Sequence, residues 1–184
     1  MSNSTLDAIF ERRSCRAYTS KKVDDETVAL LAKAALAAPS GGNAQPVNVI
    51  VVQNVPLILE LEKAAADYFV NTSTEAVLER LKLRKIKFFY NASTVFFLAI
   101  KNNAQTDVGI MAENIILAAV SLGLAGIILG LPGAAFNDPD TAPYWKEKLG
   151  FPEGYEYGLA VAVGYAADES KPHEIDPEKL SFIK

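Results

Sequence analysis

The chain has 184 residues, half of them hydrophobic and 22% charged, with a formal charge of −4 and a single cysteine. Those values suit a globular chain with a real core. They argue against a nucleic-acid binder, which is usually basic, and against a disulfide-stapled fold, which one cysteine cannot build. The longest apolar run, 115–131, is broken by Ser121, Gly123, Gly126 and Gly130, so it reads as a buried helix and a strand, not a membrane span. Met1-Ser-Asn-Ser-Thr has neither the charged nor the apolar block of a secretory signal. The expectation is one domain over residues 1–184, in the cytoplasm.

Taken in order, Ser4 with Asp7 three residues on reads as the cap of a first helix. Its apolar face is Leu6, Ile9 and Phe10, and it ends near Arg13. Residues 14–18 then run extended and carry Arg16 outward. Asp24 caps a second helix in which Val28, Leu31, Ala32, Ala35 and Leu36 recur at helical spacing, and Pro39 stops it. After the loop 39–46, the β-branched run 47–52 is a strand. Pro56 opens a third helix to about Tyr68, and residues 71–74 form a turn and cap cluster. A fourth helix is predicted over 75–90, carrying Arg80, Lys82, Arg84, Lys85 and Lys87 and then Phe88-Phe89-Tyr90. Residues 95–100 are a second strand. The helix from Asp107 to about Leu122 is apolar on nearly every face, as in an element buried on all sides or in a subunit interface. Strands at 125–129 and 157–163 enclose the loop 130–136 and a short helix 143–149. Beyond Ala166 the tail is polar, and 180–183 is a final strand or an arm. This order alone leaves α/β and α+β arrangements balanced.

Two stretches carry candidate chemistry. Arg12-Arg13-Ser14-Cys15-Arg16 concentrates positive charge in an acidic chain. With Lys21 and Lys22 it faces only Asp7 and Glu11 within the first 22 residues. Guanidinium forks match a small anion such as phosphate; the alternative is that they cap a helix end, where the macrodipole favours cations. In Pro39-Ser40-Gly41-Gly42-Asn43-Ala44-Gln45-Pro46, glycines allow close approach to a planar ligand, and Asn43 and Gln45 offer amide donors and acceptors. The alternative there is an ordinary loop after a proline-stopped helix. Gly-x-Gly-x-x-Gly and Walker-type phosphate loops are missing. One His and one Cys, far apart, give no metal-ligand cluster. His173, in a polar tail, is poorly placed for a nucleophilic triad.

Together these motifs resemble the FMN-dependent nitroreductase family. The resemblance rests on Arg12-Arg13-Ser14-Cys15-Arg16, Pro39 to Pro46, Asp107-x5-Glu113-Asn114 through Gly123-Leu124, and Gly164-Tyr165 with Lys171-Pro172-His173 beyond. It implies an α+β fold with a mixed central β-sheet flanked by helices. It also implies an intertwined homodimer with exchanged terminal segments and two FMN molecules at its interface. Arg12, Arg13, Ser14 and Arg16 would hold the phosphate, ribityl chain and pyrimidine edge of one FMN. Pro39, Ser40, Gly41 and Asn43, with Gln45 in the same loop, would reach that flavin from the other subunit. The backbone of Gly130 and Leu131 would approach flavin N5, Lys171 and His173 would complete the phosphate site, and Lys85 or Lys87 would face the pyrimidine carbonyl.

The implied activity is ping-pong transfer from NADH or NADPH through flavin N5 to a flat nitroaromatic or quinone. It needs no metal and no catalytic side chain. The alternatives are a flavin-storage or sensing protein without efficient turnover, or dehalogenation or ring dehydrogenation on the same scaffold. Two departures from the family pattern stand out. His173 occupies a tail position often filled by Arg, and it loses its proton near neutral pH. The acidic residue often found near Gly130 is absent. The basic run 80–87 attracts the extra phosphate of NADPH or is a solvated helix face. Phe69, Phe88, Phe89 and Tyr90 line a channel or belong to the core.

Overall fold

The computed structural model describes residues 3–83, 85–169 and 174–183. Its centre is a sheet of β1 (Val47–Val52), β2 (Thr94–Ile100), β3 (Ala125–Leu129) and β4 (Glu156–Gly164). The spatial order is β1-β2-β4-β3, with every neighbouring pair antiparallel. Among the described residues, parallel pairing is confined to an isolated bridge between Ser14 and Gly126 at the β3 edge, and that bridge alone makes the sheet mixed. The helices are α1 (Ser4–Glu11), α2 (Asp25–Leu36), α3 (Val55–Thr72), α4 (Glu75–Leu83), α5 (Gln105–Ser121) and α6 (Ala142–Leu149).

Every residue of β2 is buried, because side chains that alternate along a strand enter two different cores. Phe96, Leu98 and Ile100 join Val161 and Val163 against α2 and α5. Val95 and Phe97 join Ala160, Ala162, Ile127 and Leu129 against α3 and α6. The result is the α+β arrangement that the resemblance implies, with helices on both faces. The apolar α5 buries Val108, Met111, Ala112, Ile115, Ile116 and Ala119. Gly126 lets it sit directly on β3, since a Cβ there would stand 2.6 Å from Ile116 Cδ1.

Element boundaries differ from the sequence reading where local hydrogen bonds decide them. Asn3, not Ser4, caps α1: its side-chain oxygen accepts from the N–H groups of Thr5 and Leu6 at 3.1 and 3.3 Å. Asp24 caps α2 as expected. It accepts from the N–H and the hydroxyl of Thr27, both at 2.8 Å, which holds its carboxyl below the usual range. Helix α3 continues past Tyr68 to Thr72, whose hydroxyl donates back to Tyr68 O at 2.7 Å.

The largest correction concerns the fourth helix, which stops at Leu83 and not at residue 90. Lys85 N–H donates to Lys82 O at 2.8 Å and Ile86 N–H to Leu81 O at 3.0 Å. Lys85 and Ile86 have φ of 55° and 49°. This is a Schellman termination with lysine where glycine usually stands, so the sequence carries no stop signal. Residues Leu131–Phe136, expected as loop, form a 3-10 turn. Of the two readings of 180–183 the arm holds: Leu180, Phe182 and Ile183 are exposed and lie in no strand.

Candidate functional site

Residues 14–19 are fastened to the sheet edge from both sides. Cys15 N–H donates to Gly126 O at 3.1 Å, Thr19 N–H to Tyr165 O at 2.9 Å and Ala167 N–H to Ala17 O at 2.9 Å. The buried Tyr18 hydroxyl donates to Ala162 O at 3.1 Å. Arg16 stands between these anchors with its side chain exposed. Facing it is the stretch released by the break after α4. There Phe88 and Phe89 donate their N–H groups to one oxygen of Glu62, at 2.6 and 2.8 Å. A second left-handed pair, Tyr90 and Asn91, follows at φ 54° and 65°. Lys87 Nζ donates to Asn91 Oδ1 at 2.9 Å. Arg16, Leu83, Lys85, Lys87, Tyr90 and Asn91 thereby line a cavity of about 550 Å³ with three cations and no carboxylate among the described residues. Such a wall selects an anion. Lys85 and Lys87 both line it.

The other arginines split between the two readings. Arg13 folds back over the end of α1, its Nη1 donating to Phe10 O at 2.6 Å and Arg12 O at 2.5 Å, as a helix-end cation does. Its Nε–H is buried without an acceptor. Arg12 Nε lies 3.9 Å from Glu113 Oε1 on α5. Ser14 makes the bridge to Gly126 and accepts from Arg16 Nη1 at 3.4 Å. Cys15 is buried with Sγ 3.1 Å from Ala17 O, and burial pushes its thiol pKa upward, which keeps it in the unreactive thiol form.

The loop 39–46 lies elsewhere, on the start of α5. Gly41 N–H donates to Asp107 Oδ1 at 3.1 Å, and Gln45 N–H to Ser40 Oγ at 2.9 Å. Gln45 Nε2 donates to Asn43 Oδ1 at 3.1 Å, so the two amides partner each other within this chain. Pro39, Ser40 and Gln45 border a small cavity of about 90 Å³ with Asp107 and Met111. Gly41 and Asn43 are exposed.

Gly130 and Leu131 line a third cavity, of about 330 Å³, with Phe69, Phe136 and Tyr157. Phe136 stacks on Tyr157 at 5.1 Å, and Tyr157 donates its hydroxyl to Leu129 O at 2.8 Å. Gly133 is required here, because a Cβ would stand 2.7 Å from the Tyr157 ring. One chain therefore spreads the candidate residues over three concavities. Lys171 and His173 lie outside the described residues.

Two functional side chains escape the sequence reading. Asp107 looks like a helix start; the helix instead begins at Gln105, freeing the carboxylate for Gly41. Glu62 sits on the face that buries Ile58, Leu61 and Ala65, and a carboxylate there is the available signal that a backbone needs an acceptor. Phe88 and Phe89 are core, Tyr90 belongs to the core and also borders the cationic cavity, and Phe69 borders the Gly130 cavity. On α4, Arg80 is exposed and Lys82 pairs with Glu79 at 2.7 Å, as on a solvated face; Arg84 lies outside the described residues. Among the described residues, no group of three or more His, Cys, Asp or Glu can hold a metal, and no helix is long and apolar enough to cross a membrane.

An antiparallel sheet covered by helices on both faces, with a cavity at its edge that among the described residues carries cations and no carboxylate, defines an α+β protein. The nitroreductase family signature spans residues 9–165, and the chain belongs to that family. The crystal structure of a nitroreductase with bound FMN from Desulfitobacterium hafniense DCB-2 is 37% identical and superposes at a TM-score of 0.95, with both chains covered in full. A second nitroreductase with bound FMN, from Bacteroides fragilis NCTC 9343, is 26% identical at a TM-score of 0.90, again over 100% of both chains. An Archaeoglobus fulgidus protein provisionally named NADH dehydrogenase/NAD(P)H nitroreductase is 28% identical over 172 residues, covering 93% of this chain and 90% of that protein.

Proposed function

We propose that two copies of this chain hold FMN between them and use it to reduce flat acceptors, nitroaromatics or quinones, at the expense of NADH or NADPH in the cytoplasm. The observation that carries the proposal is the convergence of Arg16, Lys85 and Lys87 on one cavity without a carboxylate. The buried Nε–H of Arg13, still lacking an acceptor, adds a donor in the adjoining stretch. This donor set fits an anionic phosphate and an electron-rich pyrimidine edge.

A dimer follows from what one chain leaves open. Leu6, Ile9 and Phe10 of α1, and Leu180, Phe182 and Ile183 of the arm, expose apolar surface that a second copy would cover. A second copy would also bring its loop 39–46 to the cationic cavity. Bound FMN would supply the redox chemistry that links NADH or NADPH to the acceptor in two successive half-reactions. The protein's part is positional. Arg16, Lys85 and Lys87 hold negative charge, the backbone of Gly130 and Leu131 offers N–H donors, and Phe69 and Phe136 present ring faces and edges suited to flat molecules.

The test is the visible spectrum of the purified protein, followed by anaerobic addition of NADH or NADPH and then of a nitroaromatic. A yellow protein that bleaches and recovers agrees. Protein that stays colourless with added FMN overturns the proposal, and yellow protein that does not bleach reduces it to flavin storage.

A further inference from the structure

Against the turn Leu131–Phe136, sharing Ala134 and Asn137 with the Gly130 cavity, lies another concavity, of about 610 Å³. Its walls come from α3, the loop 137–141 and the start of α6. Tyr68, Tyr144 and Trp145 supply aromatic surface, and Asp67, Asp138 and Asp140 supply charge. Among the described residues, no Lys or Arg lines it. The size is that of a small-molecule site. We propose that this cavity binds an organic cation, an ammonium carried on an apolar or aromatic body.

Two lysines nearby are already paired, Lys148 with Glu60 outside the cavity lining and Lys63 with Asp67 of the lining itself. Lys148 Nζ donates to Glu60 at 2.5 Å and to the Tyr144 hydroxyl at 2.6 Å, lying 5.0 Å from the Tyr144 ring centroid and 5.6 Å from that of Trp145. It shows that these rings already accept a cation nearby. Lys63 pairs with Asp67 at 2.5 Å. Among the described residues, Asp138 and Asp140 have no ion-pair partner. Acids before a helix are often explained by its dipole, and Asp138 Oδ1 does accept from Asp140 N–H at 2.9 Å. That explanation covers neither Asp67, which comes from another helix, nor the open aromatic volume between them. An anion or a neutral polar ligand would leave Asp138 and Asp140 uncompensated. A bare metal ion would leave the rings unused.

Trp145 is the only tryptophan in the chain and lines the cavity, so its emission reports entry directly, independently of electron transfer. Protein as purified is titrated with benzyltrimethylammonium, with neutral benzyl alcohol and with benzenesulfonate. The expected result is a saturable change in Trp145 emission with the cation, at least about tenfold weaker binding of the other two, and weakening by salt. The triple variant D67N/D138N/D140N, which preserves the Asx turn at 138, should lower cation affinity by about tenfold or more. Equal responses to all three compounds, no saturable response, or unchanged affinity in the variant would each overturn the proposal. If the variant does not fold, charge selectivity and salt dependence in the unaltered protein decide.

Discussion

Two concavities of similar size and opposite sign sit in this small domain. The cationic one, lined by Arg16, Lys85 and Lys87, draws on chain segments far apart in sequence. The acidic one, lined by Asp67, Asp138 and Asp140, draws on α3 and the approach to α6. Their difference lies in the backbone behind the charges. The acidic cavity hangs its charges on a helix and on a turn of ordinary kind. The cationic cavity depends on two left-handed breaks at non-glycine residues, 85–86 and 90–91, and on one carboxylate, Glu62, that holds the chain between them. Backbone held in such conformations persists only when its surroundings dictate it, and it gathers at functional sites.

The strongest way to break the cationic side is Arg16→Ala. Loss of a charge-assisted contact of about 1.5–3 kcal/mol should weaken FMN binding by about one to two orders of magnitude in a fluorescence titration. Glu62→Ala removes no charge from the cavity, yet it strips the acceptor from Phe88 and Phe89 N–H. We expect a loss of about 1–3 kcal/mol in urea unfolding together with weaker flavin binding. Unchanged flavin affinity in that variant would mean that the left-handed segment does not shape the site.

Lys85→Gly separates conformation from charge. Glycine suits the left-handed position and should raise stability by up to about 1 kcal/mol, while the lost cation should lower FMN affinity. Gain or loss of both together would contradict the assignment.

Smallest is the effect of Cys15→Ala on flavin binding, which should stay within about twofold because the thiol is buried against Ala17 O and does not line the cationic cavity. The thiol still leaves a mark at alkaline pH. Burial raises its folded-state pKa above the ordinary 9.0, so its contribution is complete below pH 9.0 and is lost as pH rises through the folded value. Tyr18 is shifted in the same direction by burial and adds to that alkaline loss. Stability against pH above 9 should therefore fall less steeply in Cys15→Ala than in the unaltered protein.

The sequence was most legible where a local pattern coincides with a local cause. The Asp24 cap, the strand 47–52, the apolar α5 and the exposed Arg16 all follow from residue types within a few positions. It was least legible where the cause is distant. Nothing near Lys85 announces a helix end, because the break is compelled by Phe88, Phe89 and Tyr90 seeking the core and by Glu62 on another helix. The loop 39–46 shows the same limit. Its glycines and amides are visible, but the Asp107 carboxylate that holds it comes from the α5 N-terminus. The separation of Arg16, Ser40 and Gly130 into different concavities of one chain is beyond any local pattern.

The strand order carries a consequence for how the chain comes to be folded. β4 is the last strand in sequence, yet it lies between β2 and β3. Until residues 156–164 arrive, β2 has a partner on one side only, and β3 has no strand beside it. Contacts of such long sequence separation slow folding and leave apolar edges open meanwhile. During synthesis the fully buried β2 must wait for most of the remaining chain before its second edge is paired, which leaves residues 94–100 open to mispairing in the meantime.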